Sequence, residues 1–167
     1  MSNIVLIGMP ACGKSVTGVV LAKTLQKGFI DTDLLIQEKE HCALQKIIDE
    51  KGIGHFKEAE ERILSELAVT DTVVSTGGSA VYYPKAMQHL KKKGTVVYLK
   101  VSLETVEKRL DNIRTRGVAM QKGDTIAELY RRRIPLYESY ADVVIEADGL
   151  EVEETVERIA AALAELG

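Results

Sequence analysis

At 167 residues the chain has the length of one ordinary domain and is too short for two with independent cores. Apolar residues at 46% and charged residues at 28% can fill a core and coat it, which excludes disordered, collagen-like and low-complexity classes. A net charge of −3, no Trp, and only 2 Phe with 6 Tyr provide neither a general positive field nor a stacking surface, so no nucleic-acid partner is expected.

The N-terminus runs from Met1-Ser2-Asn3 straight into Ile4-Val5-Leu6-Ile7, without the basic start and extended apolar stretch of a secretory signal. The longest apolar stretch, Ile159 to Ala164, is far below the ~20 residues of a membrane span. A cytoplasmic protein with no membrane contact is the expectation. Cys12, Cys42, His41, His55 and His89 lack the paired spacing of a disulfide framework or a zinc site.

Five short apolar or β-branched runs read as strands: Ile4 to Ile7, Phe29-Ile30, Thr72 to Val74, Thr95 to Val101 and Val143 to Ile145. The first, third and fourth are apolar on consecutive residues, as strands covered on both faces are. Between them lie helical periods, with apolar stripes expected at Val16, Val19, Val20 and Leu25, at Ile63, Leu64 and Leu67, and at Val152, Val156, Ile159 and Leu163. Strand alternating with helix predicts a doubly wound α/β fold, a parallel sheet between helical layers. Asn112 to Asp124 lacks both period and apolar mass and predicts a mobile loop.

The first strand leads into Gly8-Met9-Pro10-Ala11-Cys12-Gly13-Lys14-Ser15, which fits the phosphate-loop pattern G-x-x-x-x-G-K-[ST] at every fixed position. Gly8 and Gly13 let backbone N–H groups turn inward, and a helix opening near Lys14 aims its positive end at the same point. Lys14 is expected to reach the β- and γ-phosphates and Ser15 to bind Mg²⁺, with Gly8, Ala11, Cys12, Gly13 and Val16 completing the nucleotide site. Cys12 is read as a small filler, with thiol sensitivity as the alternative. Asp31-Thr32-Asp33 follows the second strand, at the sheet edge where ligands bind in such folds. One carboxylate there can serve the metal and the other the accepting hydroxyl, while a helix-capping role stays open for either one.

On these residues the chain resembles the shikimate kinase family. The phosphate loop, Asp31-Thr32-Asp33, Gly52 to Glu60 with Phe56, Thr76-Gly77-Gly78, Gly94 to Leu99, Thr115-Arg116, Arg133-Ile134-Pro135-Leu136-Tyr137 and Ala141-Asp142 occur in the family's order. The resemblance implies a P-loop three-layer α/β sandwich with a five-stranded parallel sheet, one kinase domain over 1–167. Within it, an acceptor region spans about 32–62 and a lid about 111–124. It also implies ATP and Mg²⁺ as cofactors, phosphorylation of shikimate to shikimate 3-phosphate, and a monomer with a small-molecule substrate.

By the same resemblance Asp33 contacts the reacting hydroxyl and Asp31 and Ser15 serve the metal. Gly77, Gly78 and Arg133 bind the acceptor, Arg116 approaches the transferred phosphate, and Arg109 stacks on adenine. Arg131 and Arg132 are expected to be solvated. Three positions depart from the family pattern. Lys57 stands for Arg and loses the bidentate fork that grips a carboxylate, although it keeps the acceptor-binding charge. Ser79 stands for Gly, and Gly117 follows Arg116 where the family has Pro. Two readings of Glu60 stand side by side: an acid that orients a substrate-side cation, and a surface partner of Lys57 at i,i+3. Tyr82 and Tyr83 are expected to be half-buried. The alternatives are a related enzyme with another hydroxylated acid or polyol as acceptor, and a nucleotide-binding protein without transfer.

Overall fold

A computed structural model describes residues 2–111, 118, 120 and 123–167. Five parallel strands, β1 (Asn3–Ile7), β2 (Gly28–Asp31), β3 (Thr72–Ser75), β4 (Gly94–Lys100) and β5 (Val143–Glu146), form one sheet in the order β2-β3-β1-β4-β5. The central strand β1 sets Val5 opposite Val74 of β3 and Val96 of β4. Every residue of β1 and β3 is buried, as their unbroken apolar or small-residue runs predict for strands covered on both faces.

Among the described residues, eight α-helices flank the sheet: α1 (Lys14–Leu25), α2 (Thr32–Glu40), α3 (Leu44–Lys51), α4 (Ile53–Glu66), α5 (Pro84–Lys93), α6 (Leu103–Asp111), α7 (Ile126–Tyr140) and α8 (Val152–Leu166). None among the described residues is long and apolar enough to cross a membrane. The stripe on α8 is as expected, with Val156 and Ile159 buried in the main core and Val152 and Leu163 packed against it.

The stripe expected on α1 is half met: Val20 and Leu25 pack against the main core, and Val16 and Val19 face outward. Val16 and Val19 are 59% and 50% exposed, and the buried face consists of Lys14, Thr17, Gly18, Leu21 and Ala22. The helix is anchored at its first residue by the loop from β1, and Gly18 lets it close on Phe29. A Cβ at Gly18 would come within 2.7 Å of the Phe29 ring. Loop closure and backbone proximity set the rotation of α1, with Leu21 and Ala22 inward and Val16 and Val19 outward.

A second, smaller cluster of Ile36, Leu44, Ile47, Phe56 and Ala59 ties α2, α3 and α4 together. These helices occupy the 32–62 stretch and project Asp33, Phe56 and Glu60 toward the C-terminal edge of the sheet. Helix α2 begins at Thr32, with Asp31 at its N-cap. Of the loop expected at 112–124, positions 112–117, 119, 121 and 122, including Arg116 and Gly117, lie outside the described residues.

Candidate active site

The loop between β1 and α1 adopts the conformation its glycines permit. Gly13, at the helix N-cap, has φ 94°, a left-handed value that a side chain would strain. Lys14 is 7% exposed and folds back over the loop, its Nζ donating to the Gly8 carbonyl at 2.7 Å and the Met9 carbonyl at 2.9 Å. Cys12 is buried under it, with Sγ 3.6 Å from Nζ, and fills the turn. From α6, Arg109 Nη1 donates to the Ala11 carbonyl at 2.9 Å, so this side chain holds the lip of the loop. Val16 lies on the first turn of α1, exposed, and does not line the cleft.

Asp31 does two things at once. Its Oδ1 accepts from the Asp33 N–H at 2.9 Å and caps α2, while its Oδ2 accepts from Ser15 Oγ at 2.7 Å. One oxygen of this carboxylate caps the helix and the other meets the Ser15 hydroxyl. A hydroxyl and a carboxylate in contact at the end of a phosphate loop are the hard oxygen donors that Mg²⁺ takes together with substrate phosphates. The donor set therefore fits that ion. No cluster of three or more His, Cys, Asp or Glu suited to an all-protein metal cage occurs among the described residues.

The cleft beside the loop is walled by Pro10, Lys14, Ser15, Asp33, Phe56, Glu60, Gly77, Gly78, Ser79, Val118 and Arg133. These residues come from segments spread over more than a hundred positions. Gly77 is squeezed between two carboxylates: a Cβ there would lie 2.6 Å from Glu60 Oε2 and 2.8 Å from Asp33 Oδ1. Its neighbour Gly78 faces α7. Arg133 is fully buried, and its Nη1 would be 2.7 Å from a Cβ at Gly78. Arg133 Nε donates to Tyr82 Oη at 3.3 Å, with the guanidinium carbon 5.3 Å from the Tyr82 ring centre. One turn along α7, Tyr137 Oη donates to the Gly78 carbonyl at 2.6 Å. Helix α7 thus fixes both the cation and the glycine turn, while Arg131 and Arg132 stay exposed.

Glu60 is not a surface partner of Lys57. It is fully buried, with Oε1 accepting from Ser79 Oγ and Oε2 without a hydrogen-bond partner among the described residues. Burial pushes its carboxyl above the ordinary range, against the opposing influence of the Ser79 donor, the nearby Tyr83 hydroxyl and the charges of Arg133 and Lys14. Lys57 is half-exposed, does not line the cleft and makes no ion pair among the described residues. An α-helix turns 3.6 residues per revolution, so directing Phe56 and Glu60 inward leaves Lys57 about 100° to one side. Tyr82 is half-buried and Tyr83 is 7% exposed. The grip of Tyr82 on Arg133 and the Tyr137 bond escape a linear reading of the chain. The i,i+4 spacing of Arg133 and Tyr137 was the available sign that they share a helix face.

The buried carboxyl makes a pH-dependent prediction. A folded-state pKa above the unfolded one means that folding favours protonated Glu60. The associated stability is present at acid pH and is lost as pH rises through the folded value. Glu60→Gln is permanently neutral, so its Tm should match that of the parent at about pH 4 and exceed it by about 2–5 °C at about pH 8. Thermal unfolding of both proteins across that range checks this; a gap that shrinks with rising pH contradicts it.

Comparison with known proteins bears on this cleft. The shikimate kinase family model matches residues 10–164. A shikimate kinase of Sulfurihydrogenibium sp. is 38% identical over 160 residues, covering 95% of this chain and 96% of that protein. One from Clostridium botulinum is 39% identical over 148 residues, covering 86% and 87%. Among solved structures, a shikimate kinase from Acinetobacter baumannii in complex with shikimate superposes with a TM-score of 0.91 at 27% identity, covering 99% of this chain and 94% of that one.

Proposed function

Because the chain belongs to the shikimate kinase family, we propose that it is a phosphotransferase that moves the γ-phosphate of ATP to a hydroxyl of shikimate. The observation that carries this reading is the meeting of Lys14, Asp33 and Arg133 in one cleft. A phosphate-binding cation, an alcohol-binding carboxylate and a carboxylate-binding cation then line one space, matching the three parts of the reaction.

In this reading the inward-turned N–H groups of residues 8–15 cradle the triphosphate. Lys14 exchanges its carbonyl partners for phosphate oxygens and stabilises charge that builds up during transfer. Arg109, already at the lip of the loop, lies flat on the adenine. Ser15 and Asp31 would hold Mg²⁺, which when bound neutralises phosphate charge. Asp33 accepts the hydrogen bond of the reacting hydroxyl and takes its proton as the new P–O bond forms and the bond to ADP breaks. Arg133 faces the acceptor's carboxylate, where a planar guanidinium can bind two oxygens. The Gly77–Gly78 backbone lies against the ring. Arg116, outside the described residues, is assigned to the lid over 111–124 and brings positive charge to the transferred group. The 32–62 helices form the acceptor side of a single kinase domain over 1–167.

The test is an ADP-release assay with ATP, Mg²⁺ and a panel of cyclic hydroxy acids and polyols, with the product identified by mass. Turnover with shikimate well above the other acceptors is expected. The position of Lys57 outside the cleft favours one competing outcome, preference for another small hydroxylated acid, and that result would replace shikimate in the proposal.

A further inference from the structure

The Ser79 hydroxyl is spent inside the protein rather than offered to the cleft. Ser79 is 3% exposed, and its Oγ donates to Glu60 Oε1, joining the turn after β3 to the middle of α4. The second oxygen of the same carboxyl, Oε2, has no hydrogen-bond partner among the described residues and presses on Gly77, whose other side touches Asp33. With one oxygen tethered, the free one is held at the acceptor end of the cleft. The titratable and charged groups facing Glu60 are Arg133 from α7, Lys14 from α1, Asp33 from α2 across Gly77, and Tyr83 at the start of α5. Ser79 donates to this carboxyl, with the Tyr83 hydroxyl close by.

We propose that Ser79 is a positioning residue of the acceptor site, acting through Glu60 to hold the Gly77 turn and the Arg133 charge in the arrangement that binds the acceptor. This rests on the shikimate reading above and deepens it. The hydroxyl donates a hydrogen bond to a buried carboxyl whose other oxygen has no partner among the described residues, a setting where an unmet acceptor is costly. Removing it frees the carboxyl to rotate and disfavours its charged form. Asp33, Lys14 and the phosphate loop keep their places, so the effect falls on acceptor binding rather than on transfer or on the nucleotide.

Steady-state kinetics of the full-length protein and its Ser79→Ala, Glu60→Gln and doubly substituted variants test this. Ser79→Ala should raise KM for shikimate about tenfold, with kcat and KM for ATP within about twofold of the parent. Glu60→Gln should raise the same KM, and adding Ser79→Ala to it should change nothing more, because a residue that acts through Glu60 has nothing left to act on. Increases that multiply in the double variant, or a parallel loss of kcat and of affinity for both substrates, overturn the proposal. A second arm needs no substrate: the Glu60 carboxyl, followed by ¹³C NMR in labelled protein, should titrate at higher pH in Ser79→Ala than in the parent. An unchanged titration also overturns it. Failure of the parent protein to phosphorylate shikimate would instead sink the functional reading, and the titration would still report on the Ser79–Glu60 link.

Discussion

Asp33→Asn should lower kcat for shikimate phosphorylation by about 10²–10⁴-fold while leaving KM for ATP nearly unchanged. The carboxylate sits in the first turn of α2, its position set by the Asp31 cap on its own N–H and by the close approach to Gly77. Asn keeps the shape and can still touch a hydroxyl, but it cannot take the proton, so the loss appears in the chemical step. The nucleotide side, built from residues 8–15, is untouched. Steady-state kinetics with each substrate varied in turn separates the two effects. A variant with full kcat would remove Asp33 from proton transfer and leave it only a binding role.

Lys14→Met should cost about 10²–10³-fold in kcat, together with weaker ATP binding. The ammonium is buried, and its donors are met by the Gly8 and Met9 carbonyls. It is therefore held at the loop before any phosphate arrives, and little reorganisation is needed when it turns to the γ-phosphate. Methionine has similar length and tolerates burial, so the fold should survive, which a thermal scan verifies. ATP binding by calorimetry and turnover at saturating ATP then report ground-state and transition-state losses separately. If turnover at saturating ATP is intact, Lys14 only recruits the nucleotide.

The pH prediction for Glu60 bears on why such a group is kept. A neutral side chain at position 60 should make the protein more stable at neutral pH and a poorer binder of its acceptor, because burial raises the carboxyl while Arg133 and Lys14 draw on its charge. Stability at neutral pH is then given up at a buried carboxyl in the wall of the cleft.

The phosphate loop was legible in the sequence because its chemistry is local. Eight contiguous residues, two of them glycines, carry the pattern, and the strand before and helix after need only be adjacent along the chain. The five parallel strands were equally legible, since unbroken apolar runs such as Ile4 to Ile7 admit few other burial patterns. The rotation of α1 was not. Val16 and Val19 belong to the same expected stripe as Val20 and Leu25, yet the loop and the Gly18–Phe29 contact leave the first two facing solvent while the others pack on the core.

The acceptor cleft was decided by tertiary structure. Asp33, Glu60, Gly78 and Arg133 lie on four separate segments, and no spacing rule relates them. They meet because the Ile36–Ile47–Phe56 cluster packs α2 to α4 and because Tyr137 anchors α7 to the Gly78 carbonyl. The same packing gives Lys57 and Glu60 opposite environments, though they stand three residues apart on one helix: the first meets water and the second is sealed. Residue type and order along the chain determined which phosphate chemistry is available. Burial, which depends on distant contacts, decided which charges line the cleft.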